Sequence, residues 1–170
     1  FGNVKVNLPT GIKDRLRASR LKFELKQLLK NNQLTEDRGA NQQITFKLGK
    51  VGTAEHWVGQ EKEAYTLKAD QAGVIVKANT VSGLYYGLQT LRQLMVRKDG
   101  KTTVASCDII DFPSFKIRGF MHDVGRNFQT IEQLKMQIDV MAAHKLNIFH
   151  FHCTEYHGWR LESKIYPNLQ

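Results

Sequence analysis

No run in this sequence approaches the roughly 20 apolar residues that a membrane-spanning helix needs, so no membrane partner is expected. Cysteine is nearly absent. Cys107 and Cys153 allow one bridge at most, and two free, mostly buried thiols fit the residue's usual behaviour better than a disulfide framework. The N-terminus, Phe1-Gly2-Asn3-Val4, lacks an initiator Met, a basic leader and an apolar leader core, so no signal peptide is read in the chain. The C-terminus, Tyr166-Pro167-Asn168-Leu169-Gln170, carries no tail or capping signal, and the chain reads as a segment of a longer protein. Internal repeats and low-complexity segments are missing too.

What is there is a globular balance. The 170 residues are 41% hydrophobic and 24% charged, enough apolar material for a core and too little polarity for disorder by composition. The length suits one ordinary domain, or one small domain plus part of another. The formal net charge is +9, and much of the excess is Lys13, Arg15, Arg17, Arg20, Lys22, Lys26 and Lys30 against only Asp14 and Glu24. Such a stretch can attract phosphate backbones or anionic surfaces. Here Phe23 is its only aromatic, and Leu21, Leu25, Leu28 and Leu29 supply the stripe of an amphipathic helix. A solvated helix face is expected, with no nucleic-acid partner.

The spacing predicts a helix over about 13–30, ended by Asn31-Asn32. Residues 44–48 alternate apolar and polar as a half-buried strand does. Residues 65–68 and 74–77 read as two more strands, joined by a turn at Gln71-Ala72-Gly73. A second helix is predicted over 81–97, with Leu84, Leu88, Leu91 and Met95 on its buried face and Asp99-Gly100 as the turn after it. Residues 102–105 form a short strand. This order predicts an α+β domain over 1–113, a mixed or antiparallel sheet with helices on one face. The junction is placed at Asp111-Phe112-Pro113-Ser114, where Pro113 holds Phe112 extended.

Over 114–170 the pattern changes. Residues 115–121 read as a strand, Thr130 and Gln133 as a capping box, Leu134, Ile138 and Met141 as the apolar face of a helix, and 147–152 as the next strand. Strand, helix and strand make a βαβ unit with parallel neighbours. One such unit cannot cover both faces of its sheet. Further strands are expected from the rest of a longer chain or from a partner; without them an oligomer, a domain swap or poor order is expected.

Five motifs follow one another in this half: Asp111-Phe112-Pro113; Arg118-Gly119-Phe120-Met121-His122-Asp123-Val124-Gly125-Arg126-Asn127-Phe128; Ile138-Asp139-Val140-Met141-Ala142-Ala143-His144-Lys145-Leu146-Asn147; His150-Phe151-His152; and Gly158-Trp159-Arg160-Leu161-Glu162. In this order and spacing they resemble glycoside hydrolase family 20, the β-N-acetylhexosaminidases. Residues 44–98 also resemble the small α+β domain that precedes the barrel in that family, with Val81-Ser82-Gly83-Leu84-Tyr85-Tyr86-Gly87-Leu88-Gln89-Thr90-Leu91 as its helix. The first forty residues match only loosely.

The resemblance implies that 114–170 opens a (β/α)8 TIM barrel, truncated after its first β-α-β. It implies cleavage of terminal β-linked N-acetylglucosamine or N-acetylgalactosamine with retention, the substrate's own 2-acetamido oxygen acting as nucleophile. An adjacent Asp-Glu pair later in the barrel would supply stabiliser and acid. Glu36-Asp37 is the only adjacent acidic pair here, in a polar stretch of the first domain. The catalytic pair is therefore expected outside these residues, and the chain by itself is expected to be inactive. No cofactor or metal is implied. The implied partners are N-acetylhexosamine-containing glycans, and the implied location of the parent is secreted, periplasmic or lysosomal.

Carried over residue by residue, Arg118 is the implied sugar-binding group, since a guanidinium presents a planar fork of donors that suits vicinal hydroxyls. The alternative for Arg118 is a buried structural pair with Asp123. Asp123 and Arg126 are expected in an ion-pair network beneath the site. Glu155 stands where the family has the first Asp of a pair, a carboxylate that supports a His beside the general acid. Tyr156 replaces the second Asp, and His157 the polar residue after it. His150 and His152 share one strand face. Trp159 offers a flat surface for stacking on a sugar ring, or for barrel packing. Two other readings compete. His150-x-His152, with Cys153, Glu155 and His157 nearby, contains zinc-type ligands of the kind found in metal-dependent TIM-barrel amidohydrolases. A glycan-binding or accessory non-catalytic module, working through the basic first domain, is the other.

Overall fold

The computed structural model describes residues 2–52 and 60–169. The chain forms two compact units, Phe1–Lys116 and Ile117–Gln170. The first contains β1 (Asn3–Asn7), α1 (Arg15–Asn31), β2 (Thr35–Glu36), β3 (Gln43–Leu48), β4 (Tyr65–Asp70), β5 (Gly73–Ala78), α2 (Val81–Leu94), β6 (Met95–Lys98), β7 (Lys101–Val104) and β8 (Cys107–Asp111). Six of these strands make one mixed sheet in the order β2-β1-β3-β5-β4-β8. The pairs β1–β2, β1–β3 and β3–β5 are parallel, whereas β4 runs antiparallel to β5 and β8.

Side-chain alternation decides which face of this sheet is covered. Ile44 and Phe46 of β3, Tyr65 and Leu67 of β4, and Val74 and Val76 of β5 are each 1% exposed or less, while Ile75 between the last two is 40% exposed. On the covered face α2 packs through Leu84, Leu88 and Leu91, and α1 lies against α2 with Leu21, Leu25, Leu28 and Leu29 buried. Gly87 permits the close approach of α2, since a Cβ there would come 2.4 Å from Val76 Cγ1. Between the helices, buried Glu24 is held by Arg20 and Arg92, each at 2.8 Å. The seven cations between Lys13 and Lys30 are all exposed, a solvated face as expected.

In this unit both helices have boundaries that differ from the sequence reading. Helix α1 starts at Arg15, because Asp14 is its N-cap and accepts the Arg17 N–H at 2.9 Å. Helix α2 stops at Leu94, and Met95 belongs to a hairpin in which Met95 pairs with Val104 and Lys98 with Lys101. Asp99 (φ 51°) and Gly100 (φ 75°) are both left-handed, the turn that matches the twist of paired strands. That turn draws 95–98 out of the helix. The two cysteines are free and half-buried, and no described helix is long and apolar enough to cross a membrane.

The second unit contains β9 (Gly119–Asp123), α3 (Ile131–Ala143), β10 (Ile148–His152), β11 (Thr154–Glu155), β12 (Gly158–Trp159) and a short 3-10 turn at Pro167–Leu169. Strands β9 and β10 are parallel, in register from Gly119–Ile148 to Asp123–His152. The capping box at α3 has both halves: Thr130 N–H to Gln133 Oε1 at 2.9 Å and Gln133 N–H to Thr130 Oγ1 at 3.3 Å. The strand expected at 115–121 lies instead at 119–123. Pairing begins where Asn147 N–H reaches the Arg118 carbonyl at 2.9 Å, and Phe115 and Ile117 before it are 72% and 68% exposed. Of the predicted apolar face of α3, Met141 is buried, whereas Leu134 is half-buried and Ile138 exposed.

Candidate functional site

Two parallel strands have unlike ends, and the polar chemistry of the second unit gathers at one of them. Asp123 ends β9, His152 ends β10, and the two are register partners. Beyond β9 the chain turns back on Asp123: Oδ1 accepts the Arg126 N–H at 3.0 Å and Oδ2 the Arg126 guanidinium at 2.7 Å. Val124 N–H donates to the His152 carbonyl at 3.0 Å, which carries the ladder one step past the strand. After β10, the β11–β12 hairpin returns Glu155 to the same place. Its Oε2 is 3.1 Å from His152 Nε2 and 3.2 Å from an Arg126 amino group, and its Oε1 accepts the Tyr156 N–H at 3.0 Å. One guanidinium thus bridges two carboxylates, with an imidazole on the second.

The carboxylates are sheltered and the cation is open. Asp123 and Glu155 side chains are 16% and 22% exposed, Arg126 58%. The Arg126 backbone N–H, and then the Arg126 charge, hold the Asp123 carboxyl below its usual range. The Tyr156 N–H, then His152 and Arg126, do the same for Glu155. Both are therefore ionised at neutral pH and accept hydrogen bonds only.

Close packing makes this arrangement possible. A Cβ on Gly125 would lie 2.6 Å from Glu155 Cβ, and one on Gly158 would lie 2.5 Å from the Gly125 carbonyl oxygen. The hairpin can approach the 123–126 turn because neither residue has a side chain. Arg160 closes the contact. Its Nε donates to the Val124 carbonyl at 2.9 Å and an amino group to the Gly125 carbonyl at 3.4 Å. Its own N–H donates to the Cys153 carbonyl at 2.9 Å, and its guanidinium lies 5.6 Å from the Phe128 ring centroid. Sequence reasoning missed Gly125, Gly158 and Arg160 as site residues. The signal was the Gly158-Trp159-Arg160 motif, read there for its aromatic alone.

Arg118, the implied sugar-binding group, stands at the other end. It precedes β9. Its N–H donates to Asn147 Oδ1 at 2.9 Å and its Nε to the Lys145 carbonyl at 2.8 Å, where Lys145 (φ 60°) turns the chain out of α3. Asp123 is the fifth residue of extended strand after it, roughly 16 Å along the chain. Arg118 and Asp123 thus lie at opposite ends of β9, and the hydrogen bonds of the Arg118 side chain and N–H go to Lys145 and Asn147. Asp123, Arg126, His152 and Glu155 do come together. Trp159, half-exposed, sits opposite Thr154 on β12, outside the hydrogen-bonded cluster. Tyr156 and His157 form the exposed hairpin tip, their rings edge to face at 5.2 Å.

Among the described residues, Asp123, His152 and Glu155 are the one group that brings three metal-type ligand atoms within 4.8 Å of one another. His150, whose ring lies 6.2 Å from that of His152, Cys153 and His157 do not join it. The cation that the fold itself places against these carboxylates is Arg126.

Comparison with known proteins covers both units. Residues 3–112 match the family model "Glycosyl hydrolase family 20, domain 2", and residues 115–170 match "Glycosyl hydrolase family 20, catalytic domain". A beta-hexosaminidase of Porphyromonas gingivalis is 42% identical over 116 residues, which is 64% of this chain and 15% of that protein. A beta-hexosaminidase of Vibrio furnissii is 38% identical over 110 residues, 64% of this chain and 18% of that protein. The chain thus spans less than a fifth of these relatives. The solved GH20 exo beta-N-acetylglucosaminidase of Vibrio harveyi, in complex with N-acetylglucosamine, superposes with a TM-score of 0.78 at 30% identity, over 99% of this chain and 25% of that one. Flavobacterium johnsoniae chitobiase gives 0.74 at 32% identity, over 99% and 26%.

Proposed function

Because the chain belongs to glycosyl hydrolase family 20, we propose that the protein carrying it is a β-N-acetylhexosaminidase. The chain supplies the family's second domain and the opening β-α-β of a (β/α)8 catalytic barrel. The observation that carries this reading is that the two family models match the chain one after the other, in the order domain 2 and then catalytic domain. The substrates are glycans ending in β-linked N-acetylglucosamine or N-acetylgalactosamine.

Barrel enzymes work at the carboxyl ends of their strands. The charged cluster at that end of β9 and β10 is Asp123, Arg126, His152 and Glu155. In this reading Arg126, not Arg118, grips the sugar. Its guanidinium is exposed, fixed on one side by two carboxylates, and has more N–H donors than those two contacts use. Asp123 and Glu155, ionised and tied to backbone N–H groups, orient the arginine and the imidazole and have no proton to give. The general acid and the group that steadies the attacking acetamide come from an Asp-Glu pair outside residues 1–170, since Glu36-Asp37 lies in the first unit. The acetamido oxygen attacks the anomeric carbon, the acid protonates the leaving oxygen, and water then opens the cyclic intermediate with retention.

A nitrophenyl N-acetyl-β-glucosaminide tests this. The full protein is expected to release nitrophenol, and residues 1–170 alone are expected to release none. An inactive full protein would remove the hexosaminidase reading. Turnover by the isolated chain would remove the placement of the acid outside it.

A further inference from the structure

Arg160 takes no part in the reaction, yet it makes three hydrogen bonds to the framework of the site. It bonds the carbonyls of Val124 and Gly125, which form the middle of the turn between Asp123 and Arg126. Through its own N–H it bonds Cys153, the residue immediately after His152. One residue therefore joins the two segments: its side chain holds the turn that carries Asp123 and Arg126, and its backbone N–H holds the segment that carries His152 and Glu155.

The need for such a clamp follows from the glycines. Gly125 and Gly158 let the hairpin and the turn meet at distances that any side chain would forbid. The same lack of a side chain gives the Gly125 backbone wide conformational freedom. Left to itself, a turn with Gly125 beside Arg126 could swing the arginine off Asp123. The Val124 and Gly125 carbonyls would also need a donor where the hairpin covers them. A guanidinium answers both requirements, because its rigid planar fork fixes two acceptors in one relative orientation. Phe128 beside the guanidinium adds a cation–π contact that limits its own motion.

We propose that Arg160 is a positioning residue for substrate binding: by fixing the Val124 and Gly125 carbonyls it holds Arg126 in the geometry that meets the sugar. The inference rests on the reading that Arg126 grips the sugar of a hexosaminidase substrate. Arg160 touches no reacting atom in this scheme. Its loss weakens binding of ground state and transition state alike, which raises KM and leaves kcat nearly constant.

The test is made in the full protein with R160K and R160A, measuring kcat and KM on a nitrophenyl N-acetyl-β-glucosaminide, with thermal melting alongside. R160A is expected to raise KM by about tenfold with kcat changed less than about twofold. R160K, which has a compact charge and no fork, is expected to fall between R160A and wild type. Guanidinium ion at millimolar levels is expected to lower the KM of R160A, and urea at the same concentration to leave it high. Variants that melt lower but keep the wild-type KM would show Arg160 to be a structural tie only and overturn the proposal. An inactive wild-type protein would instead overturn the reading on which it rests.

Discussion

Asp123 and Glu155 are held ionised first by backbone N–H groups, those of Arg126 and Tyr156, and only then by charge. Carboxyls depressed in this way give stability that is present above their unfolded values, near 4, and is lost as pH falls through the lower folded values. The turn and the hairpin are therefore expected to stay closed from neutral pH down to about pH 4 and to loosen below it. Arg126 and Tyr156 amide resonances followed by NMR check this. A transition centred near pH 6 would show that the carboxylates do not hold the turn. The same residues show why sequence alone does not tell which arginine lies at which end of the strand. Arg118 and Arg126 belong to one motif, and both suit a sugar. Which of them lies at the carboxyl end depends on where β9 stops. A strand read at 115–121 puts Arg118 well inside it; the strand at Gly119–Asp123 puts Arg118 before its first residue. The pattern of apolar residues could not fix that boundary, because the start of the strand is set by its partner's Asn147.

Elements whose pattern was local were readable; those defined by a distant partner were not. Helix α1, strands β3, β4 and β5, and the capping box of α3 all carry their signal within a few residues. Strand β1, in which Val4 and Val6 alternate with polar residues, went unread and is defined by its pairing with β2 and β3. Strand β8 is likewise defined by β4, and one contact between them can be tested. Buried Tyr65 donates its hydroxyl to Asp111 Oδ2 at 2.6 Å, at a position where the two strands are directly paired. Burial, and then Asp111, push the phenol above its usual value, so it stays protonated and remains a donor. Y65F keeps the ring and deletes that donor, together with the hydroxyl's hydrogen bond to Thr90 Oγ1 on α2. It is expected to cost about 1–3 kcal/mol in urea unfolding of the chain. A loss under about 0.3 kcal/mol would mean that β8 is held by its ladder alone. The β6–β7 hairpin was legible in principle. Asp99-Gly100 between Val96-Arg97-Lys98 and Lys101-Thr102-Thr103 is a two-residue hairpin signal, outweighed in the sequence reading by the helical spacing that ran on to Met95.

At the scale of the whole chain the two units differ in how much they bury. The first has one continuous core beneath its sheet. In the second, Val124 and Met141 are the buried apolar side chains among the described residues, while Phe120, Met121, Ile148 and Phe151 of its two parallel strands are exposed. Among the described residues each of those strands is paired on one side only. Residues 1–170 in isolation are therefore expected to self-associate at micromolar concentration, and sedimentation velocity would show it as species heavier than 19.5 kDa. A sharp monomer peak across that range would mean that these faces are less adhesive than their composition indicates. Arg118, set aside as a sugar ligand, has a consequence of its own at this scale. By tying Lys145 and Asn147 to the foot of β9, it fastens the strand pair at the end away from the carboxylates. The foundation and the rim are thus built from separate residues. Exchanges at Tyr156 or His157 can change what the rim meets while the footing that sets strand alignment stays untouched.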